Sequence, residues 1–267
     1  MSEKLSLDNL IFEAIEWDVS DHVMTLTLNR PEVKNAINAA MTNELIYCLN
    51  FARQEREIRA VVIAAKGSLF CSGGDLKMMS GGTAETKSTV PAGGDFADIS
   101  RKIRDLYKPV IVKAQGPVMA GALLIVCNAT HVIAAEDITF SAPEIKRGLW
   151  PYMVMASLFR VMPRRAGLDF IMRGNKISAQ KAVQWGLATE VVTAEKLDET
   201  VSQLAQDLAN LAPGTMQLGL EAFYHQENQT MEEALPYLQE MLSKTIVSPD
   251  AREGIMAFMQ KREPKWE

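Results

Sequence analysis

The chain has 267 residues, of which 48% are hydrophobic and 23% charged, so it is long enough to bury a substantial core. Its net charge of -5 provides no basic surface for nucleic acid or for an anionic membrane. Three cysteines occur, Cys48, Cys71 and Cys127, and they fit neither a disulfide framework nor a metal-ligand spacing, so we predict no metal site. Since the sequence shows no secretory or membrane-spanning pattern, we predict a cytoplasmic protein.

The predicted elements alternate between strands and helices. An opening hairpin is followed by apolar strand-like runs separated by helical patterns, which is typical of parallel crossovers and predicts an α/β fold. We predict strands at residues 12–17, 22–28, 60–65, 109–114 and 131–135, and helices at 38–57, at 99–106 and from Gly121 onward.

Two further regions complete the prediction. Residues 80–95 are rich in turn formers and poor in large apolar residues, which favours a mobile flap beside a site. From Val154 onward the pattern is mostly helical. Helix caps are predicted at Ser178, Thr193, Thr230 and Ser248.

Two glycine loops carry the first chemical signal. Residues 70–76 and 118–124 each follow a strand-like run and open a helical pattern. Backbone N–H groups at helix starts are free to donate, and two of them can hold an oxygen that gains negative charge. An oxyanion hole at Gly74 and Gly121 is one interpretation; a tight turn and a close-packing glycine are the alternative.

Several motifs in order resemble the crotonase superfamily, the enoyl-CoA hydratase/isomerase group. The resemblance runs from about Phe12 to the C-terminus. It implies a spiral of β-β-α units, an acyl-CoA thioester substrate and no separate cofactor. The matching segments are residues 28–38, 70–76, 109–116, 141–149, 177–182 and 248–254.

The same resemblance implies a division into two regions. Residues 1–195 would form the spiral core with the acyl-CoA site, and residues 196–267 a helical region used in trimerisation. We therefore expect a homotrimer, or a hexamer built as a dimer of trimers.

The resemblance also implies catalytic roles. Gly74 and Gly121 would hold the thioester oxygen, and Glu144 would be the second of the two glutamates that family hydratases use. Leu124 stands at the first glutamate position and cannot accept a proton. Glu144 is also an acidic residue in the first turn of a predicted helix, where it would favour the helix dipole without any catalytic role.

One carboxylate suffices to move a proton from C2 to C4 of a 3-enoyl thioester. We therefore predict Δ3,Δ2-enoyl-CoA isomerisation. Enoyl-CoA hydration is the first alternative, with hydration-cleavage or decarboxylation on an acyl-CoA beside it. A non-catalytic acyl-CoA-binding homologue is the alternative of another class.

The resemblance assigns further residues to substrate binding. CoA is expected near Lys34, Asn35 and Ala36, with backbone near Ser72, Asp75 and Leu76. Lys261 would approach the CoA phosphates and Phe258 the adenine, and either side chain could instead be solvated or packed. Trp150, Tyr152, Met153 and Met155 are candidates for an apolar acyl pocket, with core packing as the alternative for Met155, and Leu124 is also expected to contact substrate.

Overall fold

A six-stranded sheet forms the centre of the computed structural model, which describes residues 4–79, 81 and 85–266. The strand order is β1-β2-β3-β4-β6-β9; β1 pairs with β2 antiparallel and every other pair is parallel. The predicted α/β class and opening hairpin are confirmed, although the first strand begins at Ile15 rather than at residue 12. These strands are β1 Ile15–Ser20, β2 Val23–Leu28, β3 Ala60–Ala65, β4 Val110–Ala114, β6 His131–Ala135 and β9 Glu190–Val192.

A second sheet of three short strands lies beside the first. It comprises β5 Val118–Met119, β7 Thr139–Ser141 and β8 Ile177–Ser178, in the order β5-β7-β8. The sequence pattern does not predict these strands, because pieces of two or three residues are too short to show a period. They matter for function, since β5 leads directly into the second glycine loop and β7 into the segment of Glu144.

The helices fall into two groups, before and after residue 150. The first group is α1 Ala39–Gln54, α2 Leu76–Met79, α3 Asp98–Arg104 and α4 Leu123–Val126. The second is α5 Tyr152–Val161, α6 Arg164–Arg173, α7 Ala179–Gln184, α8 Leu197–Ala209, α9 Pro213–Gln226, α10 Met231–Ile246 and α11 Pro249–Gln260.

Side-chain caps fix several helix starts. Ser178 and Ser248 accept hydrogen bonds from the backbone of α7 and α11, and Thr230 forms a reciprocal capping box with Glu233. Thr193 instead precedes a short 3-10 helix and makes no side-chain capping bond there. Three of the four predicted caps are therefore confirmed.

The core lies between the sheet and the helices. Every residue of β3 is buried, as expected for a central parallel strand covered on both faces. Helix α8 packs on β2, β3, β4 and β6 through Leu197, Val201 and Ala205, whereas α9, α10 and α11 contact one another. Helix α8, the first helix of the predicted C-terminal region, therefore packs on the central sheet.

The described part of the predicted flap is tied to the rest of the chain. Residues 85–95 contain no helix or strand. Thr89 exchanges two hydrogen bonds with Ile11, and Glu13 accepts bonds from Thr86 and Lys87. Residues 80 and 82–84 lie outside the described residues. Closure of this loop over a substrate stays a prediction.

Candidate functional site

The two glycine loops lie side by side. Cys71 and Val118 form an isolated parallel bridge, and the Met119 N–H donates to the Cys71 carbonyl at 3.0 Å. On the other side, Ile37 bridges to Gly74. Segments far apart in sequence are therefore held in one layer, which brings the starts of two short helices together.

Glycine is required where the loops touch. Gly73 has a φ of +94°, and a Cβ added there would stand 2.7 Å from both the Ala120 Cβ and the Gly121 N. A Cβ added at Gly121 would stand 3.2 Å from the Gly74 N. The two backbone amides at Gly74 and Gly121 thus border the same small space.

Both amides are available as donors. Gly73 N bonds to the Cys71 sulfur and Asp75 N to the Ile37 carbonyl, whereas Gly74 N makes no hydrogen bond to the part of the chain that the structure describes. Gly121 lies in the 3-10 helix Ala120–Ala122, at whose start N–H groups have no partner within the helix. Two free donors beside one space can stabilise an oxyanion.

Ala120 is a strained residue at this point. Its φ of +53° puts a non-glycine residue in the left-handed region, which costs on the order of 1–2 kcal/mol. Strained backbone of this kind is concentrated at functional sites. Nothing in the sequence pattern signals it, since alanine is ordinary in helices.

The amides open into a cavity of about 770 Å³. Its wall is mostly apolar and comes from both glycine loops, from the segment after β7 and from the start of α5. A volume of this size suits a small organic ligand. The lining residues are Lys34, Ala36, Leu69, Ser72, Gly74, Leu76, Phe96, Met119, Ala120, Gly121, Pro143, Glu144, Ile145, Arg147, Gly148, Leu149, Trp150, Pro151, Tyr152, Met153 and Val154.

Glu144 supplies a carboxylate to this wall. It lies in the 3-10 helix Pro143–Arg147, which begins with a proline directly after β7. Its Oε2 atom is buried and has no hydrogen-bond partner among the described residues. Burial raises the pKa of Glu144, and a hydrogen bond from its own backbone and the nearby Arg147 charge partly oppose that effect. A half-buried carboxylate with one unpartnered oxygen and a raised pKa is equipped to act as a base.

Six of the residues predicted to bind substrate line the cavity. They are Lys34, Ala36, Ser72, Leu76, Trp150 and Tyr152. Trp150 also donates its indole N–H to the Met155 sulfur at 3.1 Å. The cavity therefore has Lys34 on the loop after β2 and aromatic rings at the start of α5.

Asn35 and Asp75 stand near the cavity but hold its loops together. Asn35 is fully buried; its side chain accepts from Arg30 N at 2.8 Å and donates to the carbonyls of Lys66 and Leu69. Asp75 pairs with Arg30 at 3.4 Å and accepts a hydrogen bond from Lys77 N. Both residues fix the loop that presents Gly74.

Three other predicted residues lie away from the cavity wall. Leu124 is 1% exposed, packs in the core and does not line the cavity. Phe258 and Lys261 lie at the end of α11, where Phe258 is 86% exposed. Within this single chain the structure does not bring them to the other site residues.

Phe96 and Arg147 line the cavity and were missed by the sequence analysis. The Phe96 ring fills the space in front of Gly121, with Cζ 2.4 Å from where a Cβ would stand. No local pattern marks Phe96, because it follows an irregular segment. Arg147 could have been found, since its side chain follows Glu144 by three residues in the same turn.

The described residues contain neither a metal-ligand cluster nor a membrane-spanning helix. Within residues 4–79, 81 and 85–266, no three His, Cys, Asp or Glu side chains are grouped so that they could hold a metal ion. In the same ranges, no helix is both long and apolar enough to cross a bilayer.

Known proteins resemble the chain over nearly its whole length. A sequence model of the family described as enoyl-CoA hydratase/isomerase matches residues 18–267. Carnitinyl-CoA dehydratase of Salmonella heidelberg is 32% identical over 261 residues, covering 95% of this chain and 98% of that protein. Mitochondrial enoyl-CoA hydratase domain-containing protein 3 of Rattus norvegicus is 28% identical over 246 residues, covering 92% and 82%.

A solved structure extends the likeness to the fold. The crystal structure of an enoyl-CoA hydratase of Mycobacterium smegmatis superimposes with a TM-score of 0.88 at 29% identity, covering 95% of this chain and 99% of that chain. The crotonase-like α/β fold expected from the sequence is thereby confirmed.

Proposed function

We propose that this chain, which belongs to the enoyl-CoA hydratase/isomerase family, catalyses Δ3,Δ2-enoyl-CoA isomerisation. The observation that carries the proposal is the Glu144 carboxylate, whose Oε2 has no partner among the described residues, in a cavity that Gly74 and Gly121 also line. Family membership supplies the substrate class, an acyl-CoA thioester, and no separate cofactor is needed.

The proposed reaction has two proton transfers. The thioester oxygen accepts hydrogen bonds from the Gly74 and Gly121 N–H groups, and the Glu144 carboxylate removes a proton from C2. The resulting dienolate keeps its charge on that oxygen, and each amide donor contributes about 3–4 kcal/mol to its stabilisation. Glu144 then returns the proton to C4, and the double bond moves from C3–C4 to C2–C3.

The composition of the cavity wall favours isomerisation over hydration. Among the described residues that line the cavity, Glu144 is the only carboxylate. Hydration of a 2-enoyl thioester needs a water that is both held and activated. The first of the two glutamate positions of the family hydratases holds Leu124 here, which is buried and supplies no carboxylate to the cavity.

Hydration is the second candidate, and the relatives favour it. The similar proteins carry the names carnitinyl-CoA dehydratase and enoyl-CoA hydratase. Hydration-cleavage and decarboxylation also fit a single glutamate. A non-catalytic acyl-CoA binder is disfavoured because the two free amides and the unpartnered carboxylate line one cavity.

The test supplies 3-hexenoyl-CoA and 2-hexenoyl-CoA separately to the purified enzyme. Isomerisation predicts that the conjugated thioester forms from the first substrate, with little 3-hydroxyacyl-CoA from the second. Rapid hydration of 2-hexenoyl-CoA without isomerisation of 3-hexenoyl-CoA would establish the hydratase alternative. Turnover of neither, together with tight acyl-CoA binding, would favour the binding homologue.

We further propose a homotrimer, alone or paired as a hexamer, in the cytoplasm. The C-terminal helices expose many large apolar side chains, which would be costly in a monomer. In a trimer, Phe258 and Lys261 would be available to CoA bound by a neighbouring copy. The exposed apolar side chains include Phe223, Leu235, Leu242, Ile246, Ile255, Met256, Phe258 and Met259.

A further inference from the structure

Arg147 is a second charged group beside the base. It lies three residues after Glu144 in the same 3-10 helix, where side chains at i and i+3 eclipse each other. Both residues line the cavity. Glu144 and Arg147 therefore face the same space.

The two side chains do not neutralise each other. The Arg147 guanidinium makes no ion pair or hydrogen bond within the described residues, and the Glu144 Oε2 is unpartnered in the same ranges. The Arg147 charge nevertheless lowers the pKa of Glu144 against the effect of burial. An arginine with free donors beside a reacting centre can bind an anionic group there.

The anion at Arg147 would differ from the CoA phosphates expected at Lys34. Lys34 lines the cavity with Ala36 and Ser72 from other loops, in the region that the family resemblance assigns to CoA. Arg147 instead belongs to the segment that carries the base. Because the base acts at C2 of the acyl group, an anion bound beside it at Arg147 would belong to the acyl group.

We propose that Arg147 binds a carboxylate at the far end of a short acyl chain, so that the enzyme prefers dicarboxylic enoyl-CoA substrates. This rests on the proposed function. Three residues of a 3-10 helix rise about 6 Å, so the anion would lie only a few carbons beyond the atoms that exchange protons. A six-carbon dicarboxylic acyl group has a suitable length. The planar guanidinium matches a carboxylate with two parallel hydrogen bonds.

The first experiment measures binding without catalysis. Calorimetry compares adipyl-CoA with hexanoyl-CoA, which are saturated thioesters of equal chain length. Charge-assisted bonds of about 1.5–3 kcal/mol predict that the wild type binds adipyl-CoA roughly ten- to a hundredfold more tightly. Arg147→Gln should abolish most of this ratio, and Arg147→Lys should keep part of it.

Lys146→Gln is the matched control. It removes a positive charge from the neighbouring position, where the exposed Lys146 bonds to Asn175 and does not line the cavity. This variant should leave the adipyl-to-hexanoyl ratio unchanged. If Lys146→Gln lowered this ratio as much as Arg147→Gln does, any nearby positive charge would suffice for the preference, and the role of Arg147 would be overturned.

Two other results would overturn the proposal. Equal wild-type affinity for adipyl-CoA and hexanoyl-CoA would remove the carboxylate preference. If Arg147→Gln weakens free CoA, hexanoyl-CoA and adipyl-CoA by the same factor, Arg147 binds the CoA moiety instead. Because the saturated thioesters undergo no reaction, these results stand apart from any failure of the isomerase assignment.

A kinetic comparison completes the test. With 3-hexenedioyl-CoA and 3-hexenoyl-CoA, wild-type kcat/KM should favour the dicarboxylic substrate by at least about tenfold. Arg147→Gln should lower the value for the dicarboxylic substrate far more than that for the neutral one. An equal reduction for both would mean that Arg147 acts only through Glu144.

Discussion

Replacing Glu144 with glutamine separates the chemistry of this side chain from its shape. The amide is nearly isosteric with the carboxyl group and cannot accept the C2 proton. A positioned base contributes typically 10²–10⁴-fold, and the cavity wall offers no second carboxylate among the described residues. We expect kcat for a 3-enoyl-CoA to fall by at least about 10³-fold, while the Kd of the saturated thioester changes little.

The same substitution should stabilise the fold at neutral pH. Because burial raises the pKa of Glu144, the native state binds more protons than the unfolded state between the ordinary glutamate pKa and the raised one. Stability therefore falls as pH rises through this window, and the penalty is complete above it. Glu144→Gln removes a penalty of no more than about 1 kcal/mol, since part of the side chain remains solvated.

Urea denaturation at two pH values checks this sign. The variant should be more stable than wild type at pH 7, and the difference should vanish below about pH 4, where glutamate is neutral in both states. Glu136→Gln, at an exposed position outside the cavity, is the control and should change neither activity nor stability. Near-normal turnover by Glu144→Gln would refute the assignment of the base.

Three further predictions test the surroundings of the base. Gly121→Ala should clash with Phe96 and abolish activity. Phe96→Ala in the same chain should relieve the clash, so that the free energies of unfolding show a favourable coupling of about 1–3 kcal/mol between the two substitutions. Turnover should not return, because the new methyl group stays near Gly74 N. Leu124→Glu should destabilise the protein by about 3 kcal/mol or more and yield no hydration of 2-hexenoyl-CoA, since the charge enters the core; a gain of hydration would contradict the buried position. Asn35→Ala should cost about 3 kcal/mol in urea denaturation through three lost hydrogen bonds, and unchanged stability with weaker CoA binding would instead support a ligand role.

The sequence was most informative where period and motif agreed. Both ends of the strand Ala60–Ala65 are predicted correctly, because a short run of β-branched and small apolar residues between helices is typical of a parallel strand buried on both faces. The glycine loops indicate an oxyanion hole by their residue types, whereas the role of Glu144 comes from the family resemblance, since its spacing alone is that of an acidic residue at a helix start. The structure adds that Gly74, Gly121 and Glu144 line one cavity.

Side-chain direction was not available from the sequence. Leu124 is predicted to contact substrate, but α4 is a single turn whose orientation is set by tertiary packing. Asn35 illustrates the same limit, since a polar loop residue can face a ligand or satisfy buried backbone groups. Phe96 reaches the cavity from an irregular segment, where no periodicity relates neighbouring side chains.

The fate of the C2 hydrogen distinguishes a solitary base from two cooperating groups. We would supply 3-hexenoyl-CoA carrying deuterium at C2 and determine by mass spectrometry and NMR where the label lies in the early product. One carboxylate that removes and returns the same hydrogen predicts deuterium at C4 of 2-hexenoyl-CoA in a substantial fraction of turnovers. Product whose C4 hydrogen comes wholly from solvent, or a 3-hydroxyacyl product instead of the conjugated thioester, would contradict proton transfer by Glu144 alone.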